Sequence, residues 1–229
     1  MPQGTRPAPP RFSATWDVLC FGQSSRTTDQ GVCVGDGRTN AERGRNARAQ
    51  LLGAARELIG ELGWNGVSTR ILAERAGVRS GLVHYHFESL QALLRQAAVE
   101  EMRRMLDGTM ALLATAPDPT AGVEAMLSEL DRYTGVDPAS LLFTEAYLAA
   151  TRDAGLREQM RELVRDFRGS LATSLARSGH PAPDAAATVV MAVFDGFLLH
   201  KGIDPELSAA RIAPLLRQLT EPPPKGEHP

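Results

Sequence analysis

The sequence predicts an all-α fold of about nine helices, and three observations predict it. Between Arg45 and Leu219, apolar residues recur at three- and four-residue steps, the spacing that lines one face of a helix. Glycine- and proline-bearing breaks separate these stretches. No alternating run of useful length marks a strand.

Each element can be justified in order. Residues 1–40 are rich in proline, glycine and polar side chains and show no period beyond a short hint at TWDVLCF, so a disordered extension is expected there. From Arg45 to Leu62 the positions Leu51, Leu52, Ala55, Leu58, Ile59 and Leu62 form one apolar face, and Gly63 stops the helix. Ser68 or Thr69 caps the next helix, which runs to about Ala76. Gly77 breaks it, and a short helix follows from about Ser80 to Phe87. Ser89 caps a long helix carrying Leu90, Leu93, Leu94, Ala97, Met102, Met105, Leu106 and Leu113. After the break at 116–119, helical periods cover about 120–134, 138–152, 154–178, 184–202 and 208–219. The ending EPPPKGEHP reads as a second disordered tail.

Composition narrows the function classes. A chain of 229 residues with 43% hydrophobic content can bury a substantial core in one or two domains. Its formal net charge of −2 gives no global sign of nucleic-acid binding, so any such surface must be a local patch balanced by acid elsewhere. Cys20 and Cys33 form no CxxC and lie far from any histidine, which gives a zinc or thioredoxin-type site no support. The sequence shows no run of about 18 apolar residues and no charged start followed by an apolar stretch. A cytoplasmic protein with no membrane partner is therefore expected.

Residues 69–87 fit a helix-turn-helix on spacing alone. Ile71, Leu72 and Ala76 should face inward, with Arg70, Glu74 and Arg75 outward. Gly77 allows the positive φ that the sharp turn needs. Val78 plugs the corner, and Val83 and Phe87, four apart, anchor the second helix. Its other face offers Arg79, Ser80, His84 and Tyr85, the residue types that meet base edges and phosphates in a major groove. His84 and His86 stand two apart on a helix and so point to different faces, which argues against one metal ion held by both. No nucleophile, acid–base pair or ligand cluster converges elsewhere, so no catalytic residue, metal or cofactor is expected.

The stretch STRILAERAGVRSGLVHYHFESLQALL resembles the N-terminal domain of TetR-type transcriptional repressors. The matching features are the I-x-AERAGV core, Gly81 four residues on, and the aromatic-His-Phe ending before a serine-capped helix. The preceding RAQLLGAARELIGELGWNGVSTR resembles the family too, with Gly63, Trp64 and Gly66 in the connector. LLFTEAYLAATRDAGLREQM at 141–160 looks like a ligand-domain helix pair, and FDGFLL at 194–199 resembles the dimerisation helix. Two positions depart from the pattern: His84 with Tyr85 where the family usually has tyrosine and a variable residue, and Leu90 where a phosphate-contacting lysine is frequent.

The resemblance implies a DNA-binding domain over 41–92 and a ligand-binding and dimerisation domain over 93–220. It implies a homodimer that represses from a palindromic stretch of double-stranded DNA and is released by a small, largely apolar inducer. The candidate DNA contacts are Arg45, Arg48, Thr69, Arg70, Arg79, Ser80, Gly81, His84, Tyr85 and His86. Of these, His86 reads more as a structural residue at the turn into the fourth helix; Arg45 and Arg48, with Arg43, read equally as a solvated face or as an arm toward phosphates or the minor groove. Trp64 reads as a packing residue. Candidate ligand contacts are Met105, Met126, Phe143, Tyr147, Met160, Phe167 and Phe194, since methionine adapts to varied apolar shapes and the Tyr147 hydroxyl could orient a ligand. Glu145 and Asp195 are polar residues in otherwise apolar helices. For dimerisation, 187–202 and 212–219 offer Val190, Val193, Phe197, Leu198, Ile212 and Leu216. The rival readings are a regulator controlled by a protein partner and an enzyme on a helical bundle.

Overall fold

The structure is a computed structural model, and it describes residues 39–222. Cys20, Cys33, the hint at TWDVLCF and all but the first two residues of the EPPPKGEHP tail lie outside the described residues. Among those described there are nine α-helices, one 3-10 turn at Trp64–Gly66 and no strand. The helices are α1 (Asn40–Leu62), α2 (Thr69–Arg75), α3 (Gly81–His86), α4 (Leu90–Thr115), α5 (Pro119–Leu130), α6 (Pro138–Ala150), α7 (Ala154–Arg177), α8 (Pro183–Lys201) and α9 (Ala209–Thr220). The all-α class and helix number expected from periodicity are what the chain adopts.

Side-chain caps explain where most helices start. Ser68, Ser89, Asp118, Asp137 and Asp153 each accept a hydrogen bond from the backbone N–H three residues on. α1 starts earlier than the apolar period suggests, because Thr39 and Glu42 form a reciprocal capping box. The last two residues of the segment expected to be disordered thus belong to the cap and first turn of α1.

The hydrophobic core has two parts. One joins α1, α2 and α3 to the first half of α4, to α6, and to Leu156 and Met160 at the start of α7. The other joins the second half of α4 to α5, α7, α8 and α9. The helix-turn-helix is therefore not packed on itself alone: Leu142, Ala146, Ala149 and Ala150 of α6 lie in the same core as Leu51, Leu58 and Ile59 of α1. The approach is close at Gly60, where a Cβ would stand 2.7 Å from the Pro138 carbonyl oxygen. Any side chain there would push α6 off α1.

α8 qualifies the expectation that no apolar run is long enough to cross a membrane. By length and composition it is such a helix. Its inward face, from Ala186 to Leu198, packs in the second core, chiefly against α7. Its outward face carries Ala185, Thr188, Val189, Ala192 and Leu199.

The start of α6 is tied down by Asp137. Its carboxylate accepts from Thr134 N (2.8 Å), Thr134 Oγ1 (3.2 Å), Ser140 N (3.0 Å) and Ser140 Oγ (2.7 Å). Burial alone would raise this carboxyl, but the hydrogen bonds from Ser140 and Thr134 outweigh it and hold the pKa below the ordinary carboxylate value. A depressed carboxylate stabilises the fold above its unfolded pKa, and that contribution is lost as pH falls through the folded value. Asp137→Ala should therefore cost about 1–2 kcal/mol at neutral pH and flatten the acid limb of stability against pH. Melting curves of both proteins from neutral pH downward check this; parallel acid limbs would count against it.

Candidate DNA-binding face and ligand cavity

The turn between α2 and α3 is built as the spacing predicts. Gly77 has φ +65, the left-handed conformation that other residues rarely adopt. Its neighbour Val78 donates its N–H back to the Ala73 carbonyl at 3.0 Å. Leu72, Ala73 and Ala76 are buried, as are Val83 and Phe87, so both helices are pinned from below. Ile71, expected inward, is 38% exposed, because the buried arc of α2 runs through 72, 73 and 76 and leaves position 71 at its edge. α3 is shorter than expected, six residues from Gly81 to His86.

The outer face divides the polar residues into two groups. Arg70, Arg79, Ser80, Gly81, His84 and Tyr85 are exposed, with Tyr85 at 79%, and Thr69 is half-buried at the start of α2. Neither Arg70 nor Arg79 has a carboxylate partner among the described residues. Arg75 does: it bridges Glu61 at 2.7 Å and Glu57 at 3.1 Å, tying α2 to α1. The hydrogen bonds it donates to those glutamates raise its pKa above the ordinary value, so it is spoken for. Arg45 is exposed on α1.

Two predicted DNA contacts turn inward. Arg48 donates to Gln96 Oε1 on α4 at 2.7 Å, and its guanidinium lies 5.0 Å from the Phe87 ring centroid. These contacts hold Arg48 toward α4 and engage one of its five donors. His86 is half-buried, packs beside Gly44 of α1, and its Nε2 is buried with no hydrogen-bond partner. Tyr85 stands edge-on to it, ring centroids 4.9 Å apart at 84°. His86 thus packs within the fold and against the Tyr85 ring. Leu90, at the site of the family's frequent lysine, packs against the first core.

Trp64 does more than pack. It is buried at 6%, its backbone N–H donates to Glu145 Oε2 at 2.7 Å, and its indole N–H donates to Gln91 Oε1 at 2.9 Å. The connector between α1 and α2 is thereby fastened to α6 and α4. The sequence signal was there in Glu145, an acidic residue inside an apolar helix, but its partner lies 81 residues away and no periodicity reveals it.

Two residues before Glu145, Phe143 of α6 lines a cavity that α4, α5, α7 and α8 complete. The cavity measures about 60 Å³, room for roughly four waters. Of the predicted ligand residues, Met105, Phe143, Phe167 and Phe194 line it. Met126 is instead fully buried in the second core. Tyr147 and Met160 border a separate surface groove. Spacing alone missed Thr109 and left Asp195 unassigned; both line the cavity, and no lysine, arginine or histidine does. The Tyr147 hydroxyl still reaches the site, donating to Asp195 Oδ2 at 3.2 Å. Burial pushes both groups up, Tyr147 also through the nearby Asp195 charge, while the hydrogen bond from Tyr147 pulls Asp195 back.

Four of the six predicted dimerisation residues need correction. Val190, Phe197, Leu198 and Leu216 are at most 3% exposed within their own chain. Val193 and Ile212 are partly buried against the same core. These side chains satisfy each other and leave little surface for a second copy. The apolar surface that α8 and α9 do present is Val189, Leu199 and Leu215, the last 67% exposed, with Ala185, Thr188 and Ala192 between them on α8.

Known proteins supply an independent comparison. Residues 51–97 match the family described as "Bacterial regulatory proteins, tetR family", and residues 117–222 match "Tetracyclin repressor-like, C-terminal domain". An uncharacterized HTH-type transcriptional regulator of Mycobacterium tuberculosis is 28% identical over 191 residues, covering 80% of this chain and 97% of its own. Among solved structures, a transcriptional regulator of Streptomyces coelicolor is 27% identical with a TM-score of 0.64, covering 76% of this chain and 98% of that one. Two more distant structures share the fold. FadR of Bacillus subtilis, in complex with stearoyl-CoA, is 18% identical with a TM-score of 0.61 and covers 79% and 99% of the two chains. A transcriptional regulator of Saccharomonospora viridis, in complex with choline, is 21% identical with a TM-score of 0.62 and covers 76% and 95%.

The Glu145 tie generates a test. Glu145→Ala leaves the Trp64 N–H without its acceptor and should cost about 1–3 kcal/mol. Hydrogen exchange at residues 63–67 should quicken in Glu145→Ala and return toward the parent in Glu145→Gln, which keeps an acceptor. Unchanged exchange would mean that the connector is held by packing alone.

Proposed function

The chain belongs to the TetR family of DNA-binding transcriptional regulators, and from that premise we propose that it acts as a cytoplasmic homodimeric repressor, released from a palindromic operator by a small ligand. The activity proposed is binding, not catalysis, and it calls for no metal or cofactor. The observation that carries it is the exposed pair Arg70 and Arg79 beside Tyr85, unpaired on the outer face of a helix-turn-helix whose remaining arginine is already engaged by α1.

In this reading Tyr85, His84 and Ser80 face base edges in the major groove, while Arg45, Thr69, Arg70, Arg79 and the backbone at Gly81 meet phosphates. Two such faces related by a two-fold axis match half-sites about one helical turn apart. The second copy packs through the small and apolar stripe of α8 with Leu215 of α9, since that surface would otherwise face water.

Ligand and DNA are coupled through α6. One helix carries Phe143 in the cavity wall, Tyr147 on Asp195 and, between them, Glu145 on the Trp64 connector. A ligand that binds best when α6 is displaced lowers the population able to hold DNA, by as much as its affinities for the two states differ.

Anisotropy with a labelled palindrome from the protein's own upstream DNA tests the reading, and affinity should fall steeply with salt. Arg79→Ala should flatten the slope of log K against log salt by about one. Tyr85→Ala should weaken binding by about 1 kcal/mol or more without lowering the melting temperature. Absent or salt-insensitive binding would sink the reading. For assembly, the parent should sediment as a dimer and the Val189→Glu, Leu199→Glu double variant as a folded monomer; an undisturbed dimer would move the interface elsewhere.

A further inference from the structure

Asp195 is the feature of the cavity that an apolar inducer does not explain. Its carboxylate can accept about four hydrogen bonds and receives one, from Tyr147 at 3.2 Å. No cationic side chain lines the cavity. Arg157 and Arg161 border the surface groove that Tyr147 also lines, and Arg157 donates to the Ala150 carbonyl at 3.0 Å. What faces Asp195 instead is apolar wall with the rings of Phe143, Phe167 and Phe194.

We propose that the cavity takes an organic cation with an apolar body, its ammonium group seated against Asp195 and its carbon atoms among the three phenylalanine rings. This deepens the ligand-responsive reading and rests on it. Three physical arguments carry the choice. A partly buried carboxylate without a counter-charge is costly, and an incoming cation removes that cost. Aromatic faces attract cations, more strongly when water is excluded. An anionic ligand, such as a fatty acid, would bring a second negative charge into a low-dielectric site with nothing to balance it. The direction of the Asp195 shift agrees: burial raises the carboxyl, and a neighbouring cation would lower it again. Size adds a limit. At about 60 Å³ the cavity accepts a small ammonium as it stands, and a longer body requires Met102, Met105 and Met191 to change rotamer, which methionine does readily.

The test compares two probes of similar bulk and opposite charge, benzyltrimethylammonium and 4-phenylbutyrate, by calorimetry on the full chain free of DNA. The parent should bind the cation and prefer it to the anion. Asp195→Asn keeps the shape and an acceptor for Tyr147, so it should fold at least as stably as the parent and lose about tenfold or more in cation affinity. Tyr147→Phe leaves the carboxylate charged with one donor fewer, so it should bind the cation as well as the parent or better. The inference is overturned by an Asp195→Asn protein that binds the cation equally well, by a Tyr147→Phe protein that loses it, or by a parent that prefers phenylbutyrate. Release of labelled operator is read separately. A cation that binds through Asp195 without releasing DNA upholds the cation site and sinks the regulatory reading. Release driven by phenylbutyrate alone upholds regulation and sinks the cation site.

Discussion

The seating of α6 on α1 governs the rest of the molecule. α1 is the floor on which both helices of the helix-turn-helix rest, through Leu51, Leu58 and Ile59 below and the Arg75 bridge to Glu57 and Glu61 at the side. On its other flank α1 meets α6, and at Gly60 the backbones come together because no side chain intervenes. Burying each Leu or Ile in that joint contributes about 1.5–3 kcal/mol, far more than the exposed ion pairs, which are typically worth less than about 1 kcal/mol. The joint is therefore an apolar one, and the polar contacts decorate it. Because Leu142, Ala146 and Ala149 of α6 share the core of α1–α3, the position of the recognition helix is set partly by residues more than fifty positions further along the chain.

How much of this was legible in the sequence depends on the range of the interaction involved. Local rules worked. Ser68, Ser89 and Gly77 are caps and a turn that need only neighbours a few residues away, and they fall where pattern places them. Periodicity identified which side of each helix is apolar, but not what covers it. Val190, Phe197 and Leu198 read as a surface for a second copy, yet all three are buried within their own chain. The same limit misassigned Met126 and Met160, one sealed in the core and one on a groove. Long-range polar pairs were invisible: Trp64 with Glu145, Arg48 with Gln96 and Tyr147 with Asp195 span 81, 48 and 48 residues. In hindsight Glu145 and Asp195 were the usable clues, since a charged residue inside an apolar helix has to answer to something.

The formal charge of −2 hides an ordered distribution. Acidic side chains engage those arginines whose task is to join helices: Arg75 on α2, Arg56 on α1 with Glu101 at 3.3 Å, and Arg95 on α4 with Asp153 at 3.4 Å. Among the described residues, Arg70 and Arg79 on the outer face stay clear of them. A global count averages these populations away, which is why it gave no warning of a DNA-binding surface. The cavity is the reverse case, with one carboxylate and no base.

The clamp at the start of α6 has a mechanical consequence. Asp137 holds the first turn by four hydrogen bonds, and the Pro138 carbonyl is lodged against Gly60. The opposite end of the helix, past Tyr147, borders an open groove. A helix gripped at its first turn, when displaced, swings as a lever with its fulcrum at Pro138. Glu145 sits seven residues from that fulcrum and Tyr147 nine, so at about 1.5 Å rise per residue a push at Tyr147 arrives at the Trp64 connector reduced by only about a fifth. Moving the fulcrum, rather than enlarging the cavity, would be the way to retune how far the connector travels.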